Sequence, residues 1–571
     1  MSLDEQLKRM ESECDAHCKA LQLWEIPFQS VISQLLLAVE VIDYQGRTDT
    51  AMDYSGRLSY IYPYVADYAQ KTPLTSTTES IVNHMNPKYV DDINFLIAYA
   101  HLSMLMPQYH RKLYRLTSLA GNHIRLEYKD QAASDAEIID RVLSYVSLQM
   151  VVPYKDVDEL KAYLKEKVEK RETGMAGSDF YFVMQIKEFL QKYTFNIKVV
   201  PDAVFEDVFG ITYQEYYSFI ATVRAFAEFF IQLGRTYHEQ IDREHPKAGD
   251  GDLESEYMEW TACCMSKNTL GWFMQLSGLS LEKLKRVFGF YYLKYSDTTT
   301  DGFSSEAWCG DGYFPPFIWF DDHLLFSPHA CKYMLTVNNM LYSMNKNKEH
   351  EFADRISHHL EPCLINQLEY IFQIIPGIQI RKNVDYKTSE IDLIVYSPSE
   401  KVALCFQVKA TIAPDSARTV RRVEQRALEG IDQIRKFEAL SVDEQEHIIR
   451  GNFGNADQDI SFQHFLTIRS CAGSFEIWQH NPQYPITNYT LLAHLLVEKA
   501  KNKRFGLANF KQEVLATQRE FVRLAKPEIA EETLVIRNDQ ITFPDVSTEP
   551  GFMAKIFINI LTVFPDFEYK S

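Results

Sequence analysis

Four polar residues interrupt an otherwise apolar stretch between Thr388 and Thr411, TSEIDLIVYSPSEKVALCFQVKAT. Glu390 and Asp392 open the first apolar run, and Gln407 and Lys409 close the second. Carboxylates, an amide and an ammonium at the ends of short apolar runs are costly to bury for their own sake. Groups of these types can hold charge, orient a water molecule and stabilise negative charge as it develops in a transition state. Chemistry is expected here.

The elements that must position them follow from periodicity. Ile391–Tyr396 and Val402–Lys409 read as strands joined by a polar turn at Ser397-Pro398-Ser399-Glu400. Side chains alternate along a strand, so Gln407 and Lys409 face one way while Val408 points into the core. An amphipathic helix is expected before them over Glu351–Ile375, with Leu360, Leu364, Leu368 and Ile371 on one stripe, then a first strand over Ile378–Val384. After them, Pro414-Asp415-Ser416 signals a helix start. Val420, Val423, Ala427, Ile431, Ile434 and Phe437 make that helix's buried stripe. Ser461–Arg469 and Ser474–His480 are expected as closing strands, with His464 a core or edge histidine and not a base.

In order and strand context these motifs resemble the PD-(D/E)xK phosphodiesterase superfamily, whose members share a restriction-endonuclease-like core. That family starts one central strand with Asp and carries Glu-x-Lys, sometimes Gln-x-Lys, on the next. A Glu sits on the preceding helix, and an amphipathic helix follows the lysine. The resemblance covers roughly Glu351–His480, under a quarter of the chain. It implies Asp392 as a metal ligand, Gln407 as a ligand oxygen in place of the usual Glu, and the carbonyl of Val408 as a further ligand. Lys409 would position or polarise the attacking water. Glu390, on the same face as Asp392, would add charge that the neutral amide of Gln407 lacks. Of Glu351, Glu361 and Glu369, Glu361 is favoured as the helix glutamate by its distance to the apolar helix end and to Pro376-Gly377. The implied cofactor is Mg²⁺ (or Mn²⁺), and the implied partner is nucleic acid, DNA in preference to RNA.

Phosphodiester hydrolysis needs a nucleophilic water, stabilisation of charge on the phosphoryl oxygens and help for the leaving group. A divalent ion held by carboxylates supplies the second and lowers the pKa of its bound water. It also lets Asp392 and its acidic neighbours sit together without mutual repulsion raising their pKa values. Downstream, Ala417–Phe437 carries Arg418, Arg421, Arg422, Arg426, Arg435 and Lys436 against Glu424, Glu429 and Asp432. Beside a metal such a face would grip phosphates; otherwise it is a solvated, salt-bridged helix face. Gln425 and Gln433 lie near where the family places a site-lining polar residue, and Gln433 is the candidate.

The whole chain bounds these expectations. At 571 residues it should hold two to four domains. Its net charge of −19 argues against broad coating of nucleic acid and makes the local basic helix informative. Nine scattered cysteines form no disulfide framework. Cys14 and Cys18 have helical spacing without a second ligand pair, so free thiols on a helix face are preferred to a zinc site. The N-terminus lacks a signal pattern and no apolar run approaches a membrane span, so a cytoplasmic protein without membrane contact is expected.

Residues 1–345 read as mainly helical, with helices over Val90–Met106, Ala136–Gln149, Val157–Arg171, Phe180–Tyr193, Tyr213–Leu233, Leu281–Tyr295 and His329–Asn345. Asp242–Glu256 reads as a surface loop; its Asp250-Gly251-Asp252 is not an EF-hand, because Ser255 stands where the glycine should be. An aromatic hairpin is expected over 313–326, turning at Asp321-Asp322, with Pro315-Pro316 confining its first strand to a sheet edge. Those aromatics either stack on bases or form a packed seam, and the seam is preferred. Residues 486–571 should add helices and a small hairpin around Asn538-Asp539, packing on the larger units.

The fold class expected is therefore α+β: a large helical region over 1–345, then a nuclease-like α/β domain over 346–485 with a mixed central sheet flanked by helices, then the C-terminal tail. The helical region is expected to bind a protein partner, recognise nucleic-acid structure or self-associate. The function expected is divalent-metal-dependent nuclease, with defence against foreign DNA suggested by analogy of architecture. The alternative is a catalytically inactive nuclease-like fold serving as a nucleic-acid-binding or protein-interaction scaffold.

Overall fold

The computed structural model describes residues 3–44, 48–70, 87–147, 150–151, 154, 158–172, 175–195, 198–244, 263–266, 270–293, 313–320, 323–387, 389–413, 417–454, 459–470, 473, 475–480, 483–549 and 552–564. The fold is α+β. Helices α1 (Leu3–Lys19), α2 (Phe28–Tyr44), α3 (Thr48–Tyr68) and α4 (Val90–His110) come first. A hairpin follows, β1 (Tyr114–Ala120) and β2 (His123–Tyr128), then α5 (Gln131–Ser147), α6 (Asp158–Glu169), α7 (Gly177–Tyr193) and the long α8 (Tyr213–Glu244). Helix α8 is buried on most sides, through Phe219, Val223, Phe226 and Leu233 among others. The charge that interrupts its apolar run, Arg224, is buried too and donates to the Leu335 carbonyl at 3.2 Å. Among the described residues, no helix is long and apolar enough to cross a membrane.

The aromatic segment differs from expectation in three places. Strand β5 (Phe317–Phe320) lies between β4 (Tyr292–Leu293) and β6 (His323–Phe326), with β3 (Cys263–Ser266) beyond β6. Pro315-Pro316 therefore precede an internal strand and do not mark an edge. The expected helix Leu281–Tyr295 stops at Phe288, because Tyr292 and Leu293 join the sheet. The expected helix His329–Asn345 is two, α9 (Pro328–Met334) and α10 (Val337–Asn347), separated where Thr336 caps α10 by accepting from the Asn339 N–H. Tyr313, Phe314, Phe317 and Phe326 are all buried, so these rings form core. The turn Asp321-Asp322, most of the loop Asp242–Glu256 and the helix start Pro414-Asp415-Ser416 lie outside the described residues.

The candidate site is carried by the second half. After α11 (His358–Phe372) come β7 (Gln379–Tyr386), β8 (Ser389–Ser397), β9 (Val402–Lys409), α12 (Ala417–Glu438), α13 (Val442–Phe453) and β10 (Ser461–Ile468). Strand β8 pairs antiparallel with both β7 and β9, and β10 pairs parallel to β9. The expected strand Ser474–His480 is instead the short helix α14 (Phe475–His480), and the fifth strand is β11 (Ile486–Thr487). Phe475 and Ile477 stand two residues apart, a spacing that also fits a strand. Here both are buried while Trp478 donates to Asp140 Oδ1 of α5 at 3.1 Å, so one helical turn is packed from more than one side.

One face of this mixed sheet, with Leu393, Val395, Leu404, Phe406 and Val408, packs on α11 and on the long α8 core. The other, with Ile394, Tyr396, Ala403 and Cys405, packs on Phe437 and Ile449 of α12 and α13. The chain then continues through α15 (Tyr489–Lys501) and α16 (Phe510–Ala525) to the hairpin β12 (Glu528–Ile536) and β13 (Asp539–Ser547). Strand β13 pairs parallel with β2, so the C-terminal hairpin completes a four-stranded sheet begun near the N-terminus.

Candidate active site

Strands β8 and β9 pair from Ser397 opposite Val402 as far as Leu393 opposite Phe406, and there the ladder ends. On the other side of β8, Asn383 of β7 adopts a left-handed φ of 51° in the register position opposite Asp392. Ile391 and Ile394 pack in the same cluster, so the strict alternation of the strand is broken at Asp392. The two strands part, and polar groups fill the fork. Asp392 Oδ2 accepts the Val408 N–H at 2.6 Å, and Gln407 Nε2 donates to the Glu390 carbonyl at 2.7 Å.

Lys409 Nζ lies 3.7 Å from Asp392 Oδ2 and 3.8 Å from Glu361 Oε2. The lysine is buried, and its stem runs along α12 where Gly430 leaves room. A Cβ added there would stand 3.5 Å from Lys409 Cγ and 2.6 Å from Leu466 Cδ1. Of the three helix glutamates, Glu351 bonds Arg355 at 2.6 Å and Glu369 pairs with Lys382 at 2.7 Å, while Glu361 approaches Lys409. A π turn over Ala353–Ser357 immediately precedes α11, a distortion that recurs at functional sites.

Burial pushes the Asp392 carboxyl up to about 6. The Lys409 charge and the Val408 N–H pull it down, and Glu361 and Glu390 add repulsion. Glu390 is exposed and meets Gln407 through its backbone. The amide oxygen of Gln407, Oε1, is buried with no hydrogen-bond partner. Such an orphan is costly unless something else occupies it. Among the described residues, no group of three or more His, Cys, Asp or Glu is gathered for a metal. The available donors are two carboxylates, Asp392 and Glu361, and the Gln407 amide oxygen. All are oxygen, and they fit a hard divalent cation such as Mg²⁺ that keeps several of its waters.

A cleft of about 620 Å³ opens beside this group. Glu361, the chain leaving β9 at Ala410–Ala413, and Arg422, Gln425 and Arg426 of α12 line it. Arg421, Arg422 and Arg426 are exposed, with Arg426 bonding Glu429 at 2.9 Å. The side chain of Arg418 lies outside the described residues. Gln433 accepts the Tyr386 hydroxyl on its backbone carbonyl at 3.1 Å, and its buried Oε1 has no partner. Glu424, counted in sequence among the surface acids of this helix, is buried and bonds Arg111 of the helical region. Burial raises its carboxyl to about 7.

Three supporting residues carry no motif. Arg469 is buried and donates to the carbonyls of Leu360 and Val199 at 2.9 and 2.8 Å, anchoring the start of α11 next to Glu361. Gly430 was open to inference, since a glycine inside an amphipathic helix signals close approach. Thr411, with a buried hydroxyl lacking a partner, was not. Away from the site, His464 is buried beside Phe437 with its pKa lowered by burial to about 4, which keeps it neutral. Cys14 and Cys18 are buried in α1, and burial raises their thiols to about 11 and 12. No protein-family model, curated protein or solved structure matches this chain.

Proposed function

We propose that the chain is a divalent-metal-dependent nuclease of the PD-(D/E)xK kind, hydrolysing phosphodiester bonds with DNA as the favoured polymer. The observation that carries this reading is the fork between β8 and β9. There Asp392, Gln407 and Lys409 converge with Glu361, and the lysine stands within 4 Å of both carboxylates without bonding either closely. A bound divalent cation supplies charge stabilisation at the phosphoryl oxygens and a water of lowered pKa. Asp392, held by the Val408 N–H, and Glu361 offer it carboxylate oxygens, and Gln407 offers its orphaned amide oxygen. Lys409 orients the attacking water and stabilises the negative charge that grows on the phosphate. Arg422 and Arg426 hold flanking phosphates. A role in defence against foreign DNA rests on analogy of architecture alone.

One observation favours a second reading, a catalytically silent nuclease-like fold used for binding. Gln407 brings no charge, and its Nε2 is already committed to the Glu390 backbone. Incubating the full chain with DNA and RNA substrates in Mn²⁺ separates the two. The nuclease reading expects cleavage that Asp392→Ala reduces at least 100-fold, the scale of a lost charge-stabilising group. Binding without cleavage in Mg²⁺ or Mn²⁺ supports the silent fold.

A further inference from the structure

Of the four polar groups gathered at the strand fork, Glu361 lines the cleft, which runs from it along α12. One wall is α12, with Arg422 and Arg426 exposed on it. The opposite wall comes from the helical region, through Tyr342 and Lys346 of α10. That wall is fixed to the floor. Tyr313 stacks on Tyr342 with ring centroids 4.4 Å apart, and its hydroxyl donates to the Ala413 carbonyl at 2.6 Å. On the floor, Thr411 presents a buried hydroxyl with no hydrogen-bond partner.

Size and charge narrow the occupant. A volume of about 620 Å³ falls among sites that enclose ligands of drug size, about 300–1,000 Å³. A nucleotide or two fills such a space, whereas a double helix would have to lie across its open mouth. Tyr342 is buried and unavailable as a stacking platform, so the polar rim must do the gripping. The net charge of −19 argues against broad attraction of nucleic acid and leaves the grip to local basic groups such as Arg422 and Arg426.

We infer that the cleft holds a single unstacked strand of nucleic acid next to the scissile phosphate, with Arg422 and Arg426 on its phosphates, and excludes duplex. This rests on the nuclease reading and adds to it the form of the substrate. Contacts to phosphates carry no sequence information, so recognition is by strandedness and not by base.

The test uses the full-length Lys409→Ala protein, which should bind without cutting, and fluorescence anisotropy with a short labelled DNA strand, its RNA counterpart and the blunt DNA duplex. At least one strand is expected to bind about ten-fold or more tightly than the duplex. Arg422→Gln with Arg426→Gln should flatten the slope of log affinity against log salt by about 1.4, two phosphates at about 0.7 each. Arg422→Lys with Arg426→Lys should restore most of the slope, which a folding defect would not allow. Equal or tighter duplex binding, an unchanged slope, or no strand binding overturns the inference. Wild-type cleavage in Mn²⁺ is read in parallel. Duplex cut without strand binding removes this inference and leaves the nuclease reading, whereas a strand held but never cut does the reverse.

Discussion

Lys167 on α6 and Lys409 at the end of β9 are both buried beside carboxylates, and their surroundings differ in kind. Lys167 Nζ bonds Asp179 Oδ2 at 3.0 Å. Asp179 also accepts the Ala176 N–H at 2.6 Å and the Tyr163 hydroxyl at 2.7 Å. Lys409 stands 3.7 and 3.8 Å from Asp392 and Glu361, and the adjacent Gln407 Oε1 has no partner. The first arrangement satisfies its charges within the protein. The second leaves charges and an amide oxygen incompletely matched, and burial holds the Asp392 carboxyl up at about 6. Unspent bonding capacity at a strand fork is what a site for an external group requires, and a stabilising ion pair does not display it.

The largest expected effect breaks the satisfied pair. Lys167→Ala leaves Asp179 buried without its cation and should cost about 3–5 kcal/mol of stability, measured by urea unfolding. Lys409→Ala should cost far less, about 1 kcal/mol, because Asp392 already protonates readily and can become neutral. Equal losses at the two lysines would erase the contrast.

Next is a pH dependence. The folded pKa of Asp392, about 6, lies above its ordinary value of 3.8. The folded state therefore binds this proton more tightly than the unfolded chain does. The resulting stabilisation is present below the ordinary value and is lost as pH rises through about 6. Relative to wild type, Asp392→Asn should gain about 2.4 kcal/mol between pH 4 and pH 7.5, at 1.36 kcal/mol per pKa unit. Paired unfolding curves across that range check it, and a flat difference contradicts it.

The smallest effect sharpens the comparison at Gln407. Gln407→Glu replaces the orphaned amide with a second buried acid beside Asp392, and should cost about 1–2 kcal/mol in the cation-free protein. Millimolar Mn²⁺ should recover that loss, since affinity for such ions rises with ligand charge. Melting temperatures with and without Mn²⁺ decide it. A loss that Mn²⁺ does not recover favours the silent fold.

The site was legible where local rules determine geometry. Alternation along β9 puts Gln407 and Lys409 on one face from three consecutive residues, and a polar turn is enough to bring β8 beside it. Helix periodicity marks the helix that carries Glu361, and the family resemblance is what gives a helix glutamate a role. What stayed hidden depends on distant partners. Glu424 looked like surface charge because Arg111, more than 300 residues earlier, is invisible to any local window. Arg469 gave no sign that it anchors Leu360, and the pairing of β13 with β2 joins strands more than 400 residues apart. The expected strand Ser474–His480 is a helix because so short a run, with Phe475, Ile477 and Trp478 apolar, fits a strand or a helical turn equally well, and packing decides.

The most direct measurement is single-turnover cleavage of a labelled DNA strand in Mn²⁺ by wild type and by Lys409→Ala, with melting temperature recorded for both. Cleavage by wild type, at least 100-fold slower in a variant that melts within a few degrees of it, is the predicted result. Failure of the wild-type protein to cut, or undiminished cutting by the folded variant, would contradict the assignment of Lys409 to phosphodiester chemistry.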